Sequence, residues 1–178
     1  MAGYFSVATF RTLGAAATTQ NLFSLENTAG SAVTVKIRRL LVQMDATAAL
    51  TAVMPLIKTS RPTAIPSGGT TLSKAQWNTA NTSAANVIAR GATASDGGTA
   101  TAITATPGTI AWQQYCMRLH TAVGQVLAPD NNLLPALVDT QDFTLAAGEA
   151  LLVQIVAAAT TSNPATNHYF VNCAWEEV

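Results

Sequence analysis

Charge is what this sequence has least of. Only 10% of its 178 residues are Asp, Glu, Lys or Arg, against about 25% in an ordinary globular protein. Basic and acidic residues number 9 each, so there is no surplus of cations to offer a polyanion, and nucleic acid is not expected as a partner. Histidine is scarcer still. His120 and His168 fall on different segments, and without a convergent set of imidazole or thiolate donors no metal site is expected. Cys116 and Cys173 lack C-x-x-C spacing and sit in apolar stretches, which reads as buried free thiols; a bridge would require their strands to be neighbours. No run approaches the ~20 apolar residues of a membrane-spanning helix, and the first residues lack the basic stretch and apolar core of a secretory signal. Folding in a cytosol, with no membrane partner, is therefore expected.

The signatures of catalysis and of cofactor binding are missing as well. No G-x-S-x-G elbow, no G-x-x-x-x-G-K loop and no G-x-G-x-x-G turn occurs, which leaves acyl transfer, phosphoryl transfer and dinucleotide chemistry without a starting point. Paired carboxylates could hydrolyse a glycosidic bond. The only acidic group worth weighing is Asp139, Asp142, Glu149, Glu176 and Glu177, and these read as solvated residues of turns and of the chain end. Lys36, Arg38 and Arg39 are too few for a basic stripe and read as a solvated outer face or as pairs to a neighbouring subunit. No enzymatic function and no cofactor is expected.

What the chain does have is alternation with period two, the spacing of a strand with one buried face. Val33, Val35 and Ile37 are apolar at odd positions, then Leu40, Val42 and Met44 at even ones. The change of phase at Arg38-Arg39 predicts a β-bulge or a bend. Leu50, Ala52, Met54 and Leu56 keep the even phase into Pro55, a residue of strand edges and ends. Ile110 and Trp112 are even whereas Tyr115, Met117 and Leu119 are odd, which predicts a second bulge at Gln113-Gln114. Phe143-Thr-Leu145 leads through a turn at Gly148 into a buried strand, Leu151-Val153-Ile155, and Tyr169, Val171, Cys173 and Trp175 alternate in the last strand.

Ser73-Lys-Ala-Gln76 matches a capping box that would open one short helix to about Asn81. The Asn, Thr and Ser residues after it favour an extended segment with Trp77 pointing inward. Trp112 and Trp175, in phase with apolar neighbours, read as core anchors, and Trp77 is the candidate glycan contact, a stacking ring on an outer sheet. Eight to ten short strands with Gly, Pro and Asn turns in one domain of this size predict an all-β protein, a jelly-roll-like antiparallel β-sandwich over 21–178. Residues 1–20 form either an N-terminal arm onto another chain or an ordinary first strand. As an arm, Tyr4, Phe5, Val7, Phe10 and Leu13 are the candidate subunit interface.

The order of features from Leu25-Glu-Asn27-Thr-Ala-Gly30-Ser-Ala-Val33-Thr-Val35 through Pro66-Ser-Gly68-Gly69 and the Ala/Thr/Gly-rich middle continues to Phe143-Thr-Leu145-Ala-Ala-Gly148-Glu149. It closes on Val171-Asn-Cys173-Ala-Trp175-Glu176. In this texture, over residues 20–178, the chain resembles a group of structural virion proteins of tailed bacteriophages. The resemblance implies a capsid decoration or cement subunit, assembled as trimers or dimers in the host bacterial cytoplasm, lying over joints between major capsid proteins. A receptor- or glycan-binding module of a tail fibre or baseplate is the alternative. A neutral Thr/Ala/Asn surface suits the first role, since it can be buried against neighbours without desolvating charge.

Overall fold

In the computed structural model, residues 3–13, 19–46, 56–91, 102–115, 126–127, 143–156 and 167–178 are described, and they form strands, turns and loops without a helix. The long strands are β1 (Gly3–Leu13), β2 (Gln20–Asn27), β3 (Val35–Ala46), β4 (Leu56–Ser60), β8 (Val87–Gly91), β10 (Ile110–Tyr115), β13 (Glu149–Val156) and β14 (Asn167–Glu177). Shorter pieces are β5 (Ser67–Gly68), β6 (Thr70–Thr71), β7 (Ala75–Gln76), β9 (Ile103–Thr104), β11 (Val126–Leu127) and β12 (Phe143–Leu145).

Two antiparallel sheets pack face to face, and the all-β sandwich expected from the alternation is the observed architecture. One sheet, here called the front sheet, runs β11-β3-β14-β1-β7 with β12 also on β3; the back sheet runs β10-β4-β13-β2-β8-β6. The connections β1–β2, β3–β4 and β13–β14 each cross from one sheet to the other, and the crossing pairs lie side by side. Phe5, Leu40 and Trp175 from the front sheet meet Phe23, Leu25 and Leu151 from the back sheet in one buried cluster.

Alternation places each side chain. In β1, Phe5 and Val7 are buried and Tyr4 and Ala8 exposed. In β3 the phase changes where the sequence predicted it: Ala174 pairs with Arg39 and Trp175 with Ile37, so Arg38 is the extra, bulged residue. The second bulge falls elsewhere. Ile110 pairs with Ser60 and Trp112 with Thr59, so the extra residue is Ala111 and not Gln113-Gln114. Ile110 is 49% exposed; it is no marker of the inward phase, and treating it as one displaces the predicted bulge.

β1 pairs along its whole length with β14, from Gly3↔Glu177 to Leu13↔Asn167. Of the two readings of the N-terminal segment, these residues make it a strand of the front sheet. The residues before Leu56, with Pro55, lie outside the described ones.

Central strands of the back sheet are buried on both faces: from Ala150 to Ile155 every residue of β13 is inaccessible, and so is every residue of β2 from Leu22 to Asn27. Over β2 a third layer contributes to this. β5 and β9 pair as a small ribbon, with the Gly69 N–H donating to the Ala102 carbonyl at 3.0 Å. Asn21 of β2 ties the ribbon down by donating to the Ile103 carbonyl at 2.7 Å, and Gln154 of β13 donates to Asn21 at 2.7 Å. Gly69 is required here: its φ is +68°, and a Cβ would lie 2.9 Å from the Gly91 carbonyl oxygen and 2.7 Å from the Ile103 side chain.

The β12–β13 turn is the one expected. Gly148 has φ +86° and its N–H donates to the Asn27 carbonyl at 2.7 Å. Nothing lies within 4 Å of an added Cβ, so Gly148→Ala carries only the backbone cost of the left-handed conformation. Chemical denaturation should show a loss of about 1 kcal/mol, and less for Gly148→Asn.

Candidate functional site

In the back sheet the central strands β2 and β13 are buried on both faces; the outer face of the front sheet is open among the described residues. Outward residues there come from even positions of β1 and β14 and, because the Arg38 bulge inverts the phase, from odd positions of β3. Two rungs of paired residues cross the face. Ser6, Ala174 and Arg39 form one, and Ala8, Asn172 and Leu41 form the next. Small side chains keep this floor low.

The walls are higher. Trp77 follows β7 at the edge of β1, where its backbone N–H donates to the Tyr4 carbonyl at 3.1 Å and its indole N–H to the Ser6 hydroxyl at 3.0 Å. The second bond draws the ring over the floor, yet Trp77 stays 70% exposed. Arg38 and Arg39 stand on the opposite side. Arg38 is paired with Glu176, whereas Arg39 has no acidic partner among the described residues. Between Trp77 and the arginines lies a groove of about 450 Å³. Beyond it, Phe10 and Phe170 stack with ring centroids 5.7 Å apart.

The chain matches no protein-family model, no curated protein and no solved structure.

The fold scatters the residues singled out from sequence. Of the five interface candidates, Phe5 and Val7 are buried in the chain's own core and so are not available to another subunit. Tyr4, 45% exposed, and Phe10 face outward; the backbone of Leu13 ends β1, and its side chain lies outside the described ones. Trp77, the glycan candidate, comes directly after the extended pair β7, with no helix, but points outward rather than inward. Trp175 is fully buried against Phe5, with centroids 6.1 Å apart. Cys173 is a free, buried thiol whose pKa is pushed well above the usual range by burial. Cys116, His120, Asp139, Asp142 and the side chains of Trp112 and His168 lie outside the described residues. Among those described, no three His, Cys, Asp or Glu side chains gather as a metal site.

Glu176 and Glu177 are not the solvated chain end expected of them. Both are buried. Glu177 accepts from the Ser83 hydroxyl at 2.6 Å, the Ala84 N–H at 2.7 Å and the Trp175 indole at 3.0 Å, which fastens the 78–84 loop to the last strand. Nearby, Lys74 donates to the carbonyls of Ala84 and Val87. Burial lowers its pKa, with Glu177 opposing the shift. Because the unfolded chain holds that proton more tightly, stability should rise with pH from the folded-state pKa of Lys74 up to its ordinary value of 10.5. Thermal midpoints of wild type and Lys74→Met across that range would reveal it as a slope present only in the wild type.

Sequence reasoning did not find Arg39 and Asn172 as groove residues. The signal was present for Arg39: once a bulge is placed at Arg38, with Leu40 and Val42 inward, Arg39 and Leu41 must share the outer face.

Proposed function

We propose that this chain is a structural virion subunit, of the capsid decoration or cement kind, which associates with its own copies as trimers or dimers and with a capsid protein, and performs no catalysis. The observation that carries the reading is the edge of the back sheet. β10 pairs with β4 on one side only among the described residues. Its sequence, Ile-Ala-Trp-Gln-Gln-Tyr, contains no charge and no proline, and Ile110 and Ala111 are exposed. Monomeric proteins commonly guard such edges with lysine, proline or a covering loop, because a row of unpaired N–H and C=O groups recruits another strand. Here, among the described residues, the guard is limited to the bulge at Ala111.

The neutral composition supports the same reading, since burying an uncharged surface against a neighbour avoids the desolvation of ions. The jelly-roll winding and a location on the capsid exterior belong to this proposal; the side-by-side crossing pairs are compatible with that winding. Light scattering on purified protein should give a stable oligomer, and Ile110→Lys combined with Gln113→Lys should reduce it to a folded monomer. A wild-type protein that is monomeric at every concentration, and does not bind capsid shells, would remove the proposal.

A further inference from the structure

We propose that the groove on the front sheet is a binding site for a carboxylated sugar, a hexuronic-acid type of ligand, with Trp77 as the stacking platform and Arg39 as the partner of the carboxylate. The site does not use the β10 edge and does not rest on the structural role proposed above.

Three observations carry it. First, Trp77 is a large aromatic ring left 70% exposed, and its orientation is fixed by the indole bond to Ser6. An aromatic face held over a shallow floor offers the apolar surface against which the C–H face of a pyranose packs. Second, Arg39 stands on the same rung as Ser6, two strands away, or about 10 Å at the usual spacing between strands. It has no acidic partner among the described residues, and the lining of the groove contains no Asp or Glu. Arg38, next to it, has its charge matched by Glu176, which leaves Arg39 as the cation of the lining without a matching carboxylate among the described residues. A neutral sugar would leave it unanswered, whereas a carboxylate can take it in two parallel hydrogen bonds. Third, the floor between ring and guanidinium carries Asn172 and the Ser6 hydroxyl among alanines. These are hydroxyl-recognising groups set in a low apolar bed, and about 450 Å³ falls within the range of small-ligand sites, about 300–1,000 Å³.

Saturation-transfer NMR on methyl β-glucuronide and methyl β-glucoside provides the test, with the protein as the full chain. The glucuronide is expected to bind saturably, and the glucoside at least about tenfold more weakly, the difference one charge-assisted pair makes. Trp77→Ala should abolish the signal, Trp77→Phe, which keeps a ring but loses the bond to Ser6, should weaken it without changing the order of the two sugars, and Arg39→Gln should bring the two sugars to equal, weak binding. Both side chains are at the surface, so the variants should melt within about 2 °C of wild type. The proposal is overturned if neither sugar binds, if glucoside and glucuronide bind alike to the wild type, or if Arg39→Gln leaves the preference intact. It is equally overturned if the Trp77 indole resonance moves with protein concentration in the absence of sugar, which would mean that a second copy occupies the groove.

Discussion

Replacing Trp175 with alanine should lower the unfolding free energy by roughly 3–5 kcal/mol, the range for deleting a fully buried large aromatic. For a chain of this size that corresponds to a fall in melting temperature on the order of 10 °C. The physical grounds are specific. Trp175 has no accessible surface, packs on Phe5 across the β1–β14 pair, and donates its indole N–H to Glu177. Its removal therefore opens a cavity and takes one of three donors from a buried carboxylate at the same time. Trp175→Phe separates the two terms: it refills most of the space but not the hydrogen bond, and should lose less than half as much. A Trp175→Ala protein that melts within a degree or two of wild type would mean that this side chain is not where the fold places it.

The second large effect is expected at Arg90. Glu26 lies on the outer face of the back sheet with 0% exposure, and its carboxylate accepts from Arg90 Nε at 3.0 Å and from the Ser24 hydroxyl at 2.7 Å. Arg90 also donates to the Gly68 carbonyl at 3.3 Å, joining the pair to the third layer. Arg90→Ala would leave a buried carboxylate with one neutral donor, a loss of about 3 kcal/mol, at the lower end for breaking buried pairs because water still reaches the arginine side. Substituting both partners, Arg90→Met with Glu26→Leu, should return stability to within about 1 kcal/mol of wild type, since no ion is then left buried. Urea denaturation of the wild type, Arg90→Met, Glu26→Leu and the double variant measures the coupling directly. Additive losses from the two single substitutions would contradict a buried pair.

Some of this was legible in the sequence for a plain physical reason: a strand with one buried face alternates. Residues Val35–Val42 disclosed both a strand and its bulge because the apolar positions change parity at Arg38, and the turn at Gly148 was legible because a glycine separates two alternating runs. Where strands are buried on both faces, parity carries no information. β2 is of that kind, and the ribbon against it comes from segments rich in Pro, Gly and Thr, whose composition signals loops; in β13 the odd set Leu151, Val153 and Ile155 was legible, but the burial of its even set was not. The partners of Glu26, Glu176 and Glu177 are distant in sequence, so nothing local marked these carboxylates as buried. Trp77 misled in the opposite direction. A tryptophan in an extended segment is usually an inward residue, but β7 is only two residues long and does not impose its alternation on the residues after it. The groove became readable only after pairing placed Ser6, Ala174 and Arg39 on one rung.

Behind the proposed role lies a single physical premise, that the uncharged edge of β10 is occupied by a neighbouring subunit in the working state. Backbone hydrogen exchange along Ile110–Tyr115 measures it most directly. Amides on the side facing away from β4 should be protected in the assembled protein and should lose that protection in the Ile110→Lys, Gln113→Lys variant. Rapid exchange of those same amides in the wild type at every protein concentration would contradict it.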